Sequence, residues 1–130
     1  MKVSILVVDD NSETLEVLKR SLQFEGYRIF TAQKVSQAIV ILKENHIDLV
    51  ITDMKMPESN GIGMIKFVRE NFSNMKIIVI SGYPFPQNLD YSTQNAPDDF
   101  LAKPFTSEEL VITVQKVLTS GDGIKKNQAE

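Results

Sequence analysis

The sequence predicts an α/β domain built on an open parallel sheet with helices on both faces. Short apolar runs alternate with segments whose apolar residues recur at helical spacing, and such alternation requires right-handed crossovers between parallel strands. The first run, Val3–Val8, is apolar apart from Ser4, as a strand covered on both faces should be. Each run also ends in a polar, reactive side chain. Ile5–Val8 leads into Asp9-Asp10, Leu49–Thr52 into Asp53, Ile77–Ile80 into Ser81-Gly82, and Phe100–Ala102 into Lys103-Pro104.

The elements follow in order. After the first strand, Leu15, Leu18 and Leu22 recur at helical spacing, with Asn11 or Ser12 as N-cap and Gly26 as the stop. Arg28–Ala32 reads as a weaker strand, nearer an edge. Ala38, Ile41 and Leu42 mark a second helix ending near Asn45, and Asp48–Thr52 the third strand. Pro57 and Gly61 break the pattern as a loop. Ile65, Val68 and Phe72 give the third helix, Lys76–Ile80 the fourth strand and Asp99–Ala102 a short fifth. The last helix opens on a capping box, Thr106 and Glu109, and carries Leu110, Val111, Val114, Val117 and Leu118 on one face. Gly121-Asp122-Gly123 is expected to end it. The domain is therefore placed at residues 1–120, with 121–130 a flexible tail or the start of a linker.

The segment Tyr83–Pro97 should hold a fourth helix but suits one badly. Pro84 and Pro86 remove two donors and bias Tyr83 and Phe85 away from helical geometry, and Pro97 enforces a stop by Ala96. Leu89 is the only large aliphatic residue between them, so at about 25 cal/mol per Å² little burial opposes the cost of ordering. A short or irregular helix is expected there. Amide hydrogen exchange should be markedly faster across Asn88–Asn95 than across Leu110–Leu118. Equal protection of the two would show that the prolines do not act this way.

Composition bounds the function. The chain has 130 residues, 42% hydrophobic and 24% charged, which suits one soluble domain with a real core. A formal net charge of −3 gives no bulk attraction to nucleic acid or an anionic membrane. There is no cysteine, so disulfides, thiol nucleophiles and thiolate metal sites are excluded. No apolar run approaches the roughly 20 residues of a membrane helix, and no signal-peptide pattern precedes the first strand. A cytoplasmic protein is expected.

In an open parallel sheet, ligands bind outside the carboxyl ends of the strands. Three carboxylates, a hydroxyl and an ammonium are thereby expected along one edge, a set suited to a metal ion and a phosphoryl group. Taken singly, Asp10 would read as a helix cap, Asp53 as a turn residue and Lys103 as a solvated lysine. Together at the ends of successive core strands they read as a site. Converging carboxylates raise one another's proton affinity, and a cation relieves that. Relief of this repulsion is expected to make Asp10→Asn more stable than wild type in the absence of metal.

These motifs closely resemble the receiver domain of two-component response regulators. The matching features are Val7-Val8-Asp9-Asp10-Asn11, Asp53 followed by Met56-Pro57 and Gly61, Ser81-Gly82, and Asp98 through Phe105. They cover about Met1 to Leu118 in family order. The resemblance implies a flavodoxin-like sheet of order 2-1-3-4-5 and a phosphorylatable signalling switch. By position, Asp53 is the phosphoacceptor. Asp10, Asp9, the Asp53 carboxylate and the Lys55 backbone carbonyl hold Mg²⁺, or Mn²⁺ in its place. Lys103 is the family lysine, Ser81 the switch hydroxyl and Phe100 the switch aromatic. The implied partners are a histidine kinase or histidine phosphotransfer domain, an output domain or downstream protein, and a phosphorylation-dependent second copy, with no direct nucleic acid or membrane binding.

His46, the single histidine, precedes the third strand and so belongs at the opposite end of the sheet from Asp53. The phosphodonor must then come from outside. Departures from the family pattern are Ala96-Pro97 before the acidic doublet, the interrupted fourth helix, serine at position 81 and phenylalanine at position 100. Two other functions compete. A phosphatase of the haloacid dehalogenase type needs Asp-x-Asp after the first strand, where Asn11 stands in place of the second Asp, and a late acidic pair after Lys103 that is missing. A receiver-like binding scaffold without phosphorylation would not require the full acidic and lysine set.

Overall fold

The computed structural model describes residues 2–54, 61–72, 74–82 and 96–128, and the side chains among them other than those of residues 61, 62 and 120–128. Five strands form one parallel sheet in the order β2-β1-β3-β4-β5, the flavodoxin-like order expected. They are β1 (Ser4–Val8), β2 (Arg28–Ala32), β3 (Leu49–Asp53), β4 (Lys76–Ser81) and β5 (Asp99–Ala102). Among the described residues the helices are α1 (Ser12–Phe24), α2 (Val35–Glu44), α3 (Gly61–Asn71) and α4 (Ser107–Gln128). The expected short helix falls in Tyr83–Asn95, outside the described residues.

Side-chain alternation along the strands divides the core in two. Leu6 and Val8 of β1, Val50 of β3 and Ile77 and Val79 of β4 pack with Ala38 and Leu42 of α2 and Met64, Ile65 and Val68 of α3. The intervening Ile5, Val7, Leu49, Ile51, Ile78 and Ile80 pack with Leu15, Leu18 and Leu22 of α1 and Leu110, Val114 and Val117 of α4. Helices thus cover both faces, and β1 and β3 are buried along their whole length. β2 keeps Arg28 and Thr31 exposed, as an edge strand does.

The helix ends follow the sequence signals. Asn11 caps α1, its side-chain oxygen accepting from the Glu13 and Thr14 backbone N–H groups at 2.8 and 3.0 Å. At the other end Gly26 takes φ +95°, a left-handed conformation that favours glycine. Its N–H donates to the Gln23 carbonyl at 2.9 Å and the Tyr27 N–H to the Leu22 carbonyl at 3.3 Å, closing α1 in a Schellman motif. The capping box of α4 is reciprocal: the Thr106 N–H donates to the Glu109 carboxylate at 2.8 Å, and the Glu109 N–H to the Thr106 hydroxyl at 3.0 Å.

Two expectations need correction. β3 begins at Leu49 rather than Asp48 and includes Asp53, which pairs with Ile80; Asp48 stands just before it, its N–H donating to the Ser4 carbonyl at 2.8 Å and its carboxylate accepting from the Ser4 N–H at 2.9 Å. The last helix does not stop at Gly121-Asp122-Gly123 but runs to Gln128. Each glycine costs about 1 kcal/mol in a helix interior. Extending a formed helix is easier than nucleating one, and no proline stands in the way.

Candidate functional site

The parallel register carries the functional side chains to one edge. Val8 lies opposite Thr52, so Asp9 and Asp53 leave neighbouring strands at the same level. Asp53 lies opposite Ile80, and Ser81 opposite Ala102. The ladder is prolonged past the strand ends: the Asp9 N–H donates to the Ala32 carbonyl at 3.0 Å and the Lys103 N–H to the Ser81 carbonyl at 2.9 Å. His46 lies at the opposite end, with Nε2 3.0 Å from the Asp48 carboxylate.

Asp9, Asp10 and Asp53 each bring a carboxylate oxygen to within 4.8 Å of the others. Burial separates their roles. Asp10 is exposed, whereas Asp9 is 2% and Asp53 7% exposed. The Asn11 backbone N–H donates to Asp9 Oδ1 at 2.9 Å, while the buried Oδ2 has no hydrogen-bond partner. The Asp9 pKa is raised to about 6, first by burial and then by the Asp53 charge, against the opposing pull of the Asn11 N–H and the Lys103 ammonium.

Lys103 reaches over from the end of β5, its Nζ 3.0 Å from Asp53 Oδ2. The Thr52 hydroxyl donates to the Asp53 backbone carbonyl at 3.2 Å. Ser81 is 3% exposed and donates its hydroxyl to the Gly82 carbonyl at 3.0 Å. Phe100 is half-buried against the cluster that holds Val79 and Met64. The structure thus brings Asp9, Asp10, Asp53 and Lys103 together, with Ser81 and Phe100 on the flanking strands. Lys55, expected to lend its backbone carbonyl, lies outside the described residues.

The residues fit a hard divalent cation. Oxygen donors from clustered carboxylates are what Mg²⁺ selects, and a buried carboxylate oxygen without a partner calls for a positive charge. One feature at the other, amino end of β5 is absent from the sequence motifs. The acidic doublet before Phe100 is held by two cations from distant helices, Asp98 by Arg69 at 2.9 Å and Asp99 by Lys116 at 2.8 Å. No spacing rule links residues so far apart.

Comparison with known proteins agrees with this geometry. The response regulator receiver domain model matches residues 5–115, and the chain belongs to that family. Among curated proteins it is 29% identical to the response regulator SaeR of Staphylococcus aureus over 115 residues, 88% of this chain and 50% of that protein. The chain thus spans about half the length of the curated relatives it matches. Among solved structures it resembles the chemotaxis response regulator CheY4 of Vibrio cholerae, with TM-score 0.82 and 26% identity over 90% of this chain and 99% of that one. A response regulator receiver domain protein of Clostridium thermocellum gives TM-score 0.83 and 27% identity over 94% and 98% of the two chains. The chain is a signalling domain of two-component systems rather than an enzyme of the ordinary kind.

Proposed function

We propose that this receiver is a phosphorylation switch in which Asp53 accepts a phosphoryl group. The observation that carries the reading is the Asp53 carboxylate itself: nearly buried, 3.0 Å from the Lys103 ammonium and grouped with two further carboxylates. A carboxylate oxygen of Asp53 attacks phosphorus, and the bond from phosphorus to a partner's histidine nitrogen, or to the oxygen of a small acyl phosphate, breaks. An aspartyl phosphate forms and the donor leaves with the electron pair of the broken bond. Asp9, Asp10 and Asp53 are the residues that would hold Mg²⁺, or Mn²⁺ in its place, with the Lys55 carbonyl as the further ligand proposed. The cation supplies neutralisation of phosphoryl charge. Lys103 holds charge on the phosphoryl oxygens and keeps Asp53 oriented.

The phosphoryl group adds about −1.5 to −2 charges and creates one to three charge-assisted hydrogen bonds. At roughly 1.5–3 kcal/mol each, two or three of these are enough to tip two conformations separated by a few kcal/mol. Ser81 exchanges its bond to the Gly82 carbonyl for one to a phosphoryl oxygen, and Phe100 rotates into the space released. The face formed by β5 and α4 changes, and an output domain, a downstream protein or a second copy of the chain reads the change. Donors are a histidine kinase or histidine phosphotransfer domain. The receiver occupies residues 1–120, and 121–130 leads away from it, in a protein we place in the cytoplasm. No helix among the described residues is long and apolar enough to cross a membrane.

Incubation with Mg²⁺ and acetyl phosphate, followed by intact mass, tests the reading. One stable phosphoryl addition supports it. Rapid turnover without accumulation points to a phosphatase, and no addition points to a binding scaffold. Lys103→Ala should still be phosphorylated, but more slowly by on the order of 10²-fold, the usual cost of losing one preorganised electrostatic partner. Its amide spectrum near Phe100 should not shift with beryllofluoride. A full wild-type shift in that variant would assign transmission to other residues.

A further inference from the structure

The Asp98 carboxylate and the Arg69 guanidinium form a junction of three backbone segments. Arg69 Nη1 donates to the Met75 carbonyl at 2.7 Å, and Nε and Nη2 donate to the Ala96 carbonyl at 3.3 and 3.0 Å. Nη2 also reaches Asp98 Oδ2 at 2.9 Å. The same Oδ2 accepts from the Ile77 N–H at 2.8 Å, and the Asp98 N–H donates to the Ile77 carbonyl at 2.8 Å. The Arg69 side chain is only 15% exposed. One side chain of α3 therefore ties the segment before β4 to the segment entering β5. Only a planar fork with several fixed donors can make these bonds together.

β5 needs such a tie. It has four residues and lies at the edge of the sheet, paired with β4 alone. A one-residue slip would turn every β5 side chain to the other face. Strand alternation puts Asp98 on the face of Phe100, with α3, and Asp99 on the face of Leu101, with α4. The two ion pairs hold the doublet from opposite layers. Arg69 holds the side that carries the switch aromatic.

We propose that Arg69 is a positioning residue: by holding Asp98 and Ala96 it sets the register of β5, and so presents Phe100 to its cluster and Lys103 to Asp53. The consequence for Lys103 and Phe100 rests on the phosphorylation reading above; the register itself does not.

Arg69→Met, Arg69→Lys and Asp98→Asn test this in the full chain. Hydrogen exchange of the β5 amides, without any phosphodonor, should quicken at least tenfold in all three, while β1 and β3 amides change less than twofold. The lysine variant should not rescue, since it keeps the charge and loses the fork. The phosphorylation rate from acetyl phosphate should fall several-fold, yet the rise in melting temperature on adding Mg²⁺ should match wild type, because the carboxylates lie at the carboxyl ends of β1 and β3. Exchange that quickens equally in all strands, or β5 protection and phosphorylation rates like those of wild type, would overturn the proposal. Should Arg69→Met fail to fold, the other two variants decide. A wild-type protein that takes up no phosphoryl group would sink the phosphorylation reading alone, and the exchange comparison would still judge the clamp.

Discussion

Asp53→Asn should take up no phosphoryl group from acetyl phosphate with Mg²⁺, under conditions that add one group to the wild-type protein. The amide retains the shape of the side chain, but its oxygen carries no negative charge to attack phosphorus. The Lys103 ammonium then faces a neutral group, and the cation site loses one of its three carboxylates. Loss should be complete because among the described residues no second carboxylate is equally placed. Asp10 is exposed and Asp9 has one oxygen engaged by the Asn11 N–H. Intact mass followed by peptide mapping checks this. Phosphorylation of the variant at the wild-type rate would place the acceptor elsewhere.

Metal-free stability should fall as pH rises from about 4 to about 6, and Asp9 is the cause. Its folded pKa is about 6 and its ordinary value 3.8, so the folded state binds the extra proton across that window. Stability decreases with pH wherever the folded state holds more protons than the unfolded. The cost is complete above the folded value. At 1.36 kcal/mol per pKa unit it is on the order of 2–3 kcal/mol. Asp9→Asn removes it. The asparagine oxygen still accepts from the Asn11 N–H, and its amide can donate toward Asp53. At pH 7.5 in chelator the variant should melt higher than wild type by roughly 5–10 °C, and the two should converge near pH 4. Mg²⁺ should stabilise wild type and leave the variant nearly unchanged. Parallel melting curves for the two proteins from pH 4 to 7.5 in chelator would show that Asp9 carries no such cost. Burial keeps water and salt from screening the Asp9 charge as they screen an exposed carboxylate.

Much of this molecule is legible in its chain because the signals are local. Uninterrupted, β-branched runs such as Ile5–Val8 and Ile77–Ile80, short and closed by polar residues, read as strands covered on both faces. Asn11 and the Thr106–Glu109 pair open helices, and Gly26 closes one, through bonds that span a few residues. The polar residue after each run identifies the site edge, since parallel strands deliver their carboxyl ends together. Tertiary structure alone decided the rest, because each remaining point depends on what packs against a residue from far along the chain. The neighbouring Asp9 and Asp10 look equivalent in sequence, yet one is buried with an oxygen that lacks a partner and the other faces solvent. Arg69 reads as an ordinary basic residue in the last turn of a helix, and only the approach of Ala96 and Asp98 gives it its bonds. The glycines at 121 and 123 read as a stop, but the helix already nucleated at Thr106 and packed through Leu110, Val114 and Val117 carries on through them. Burial and long-range pairing are properties of the assembled layers, and no periodicity or spacing in a single segment encodes them.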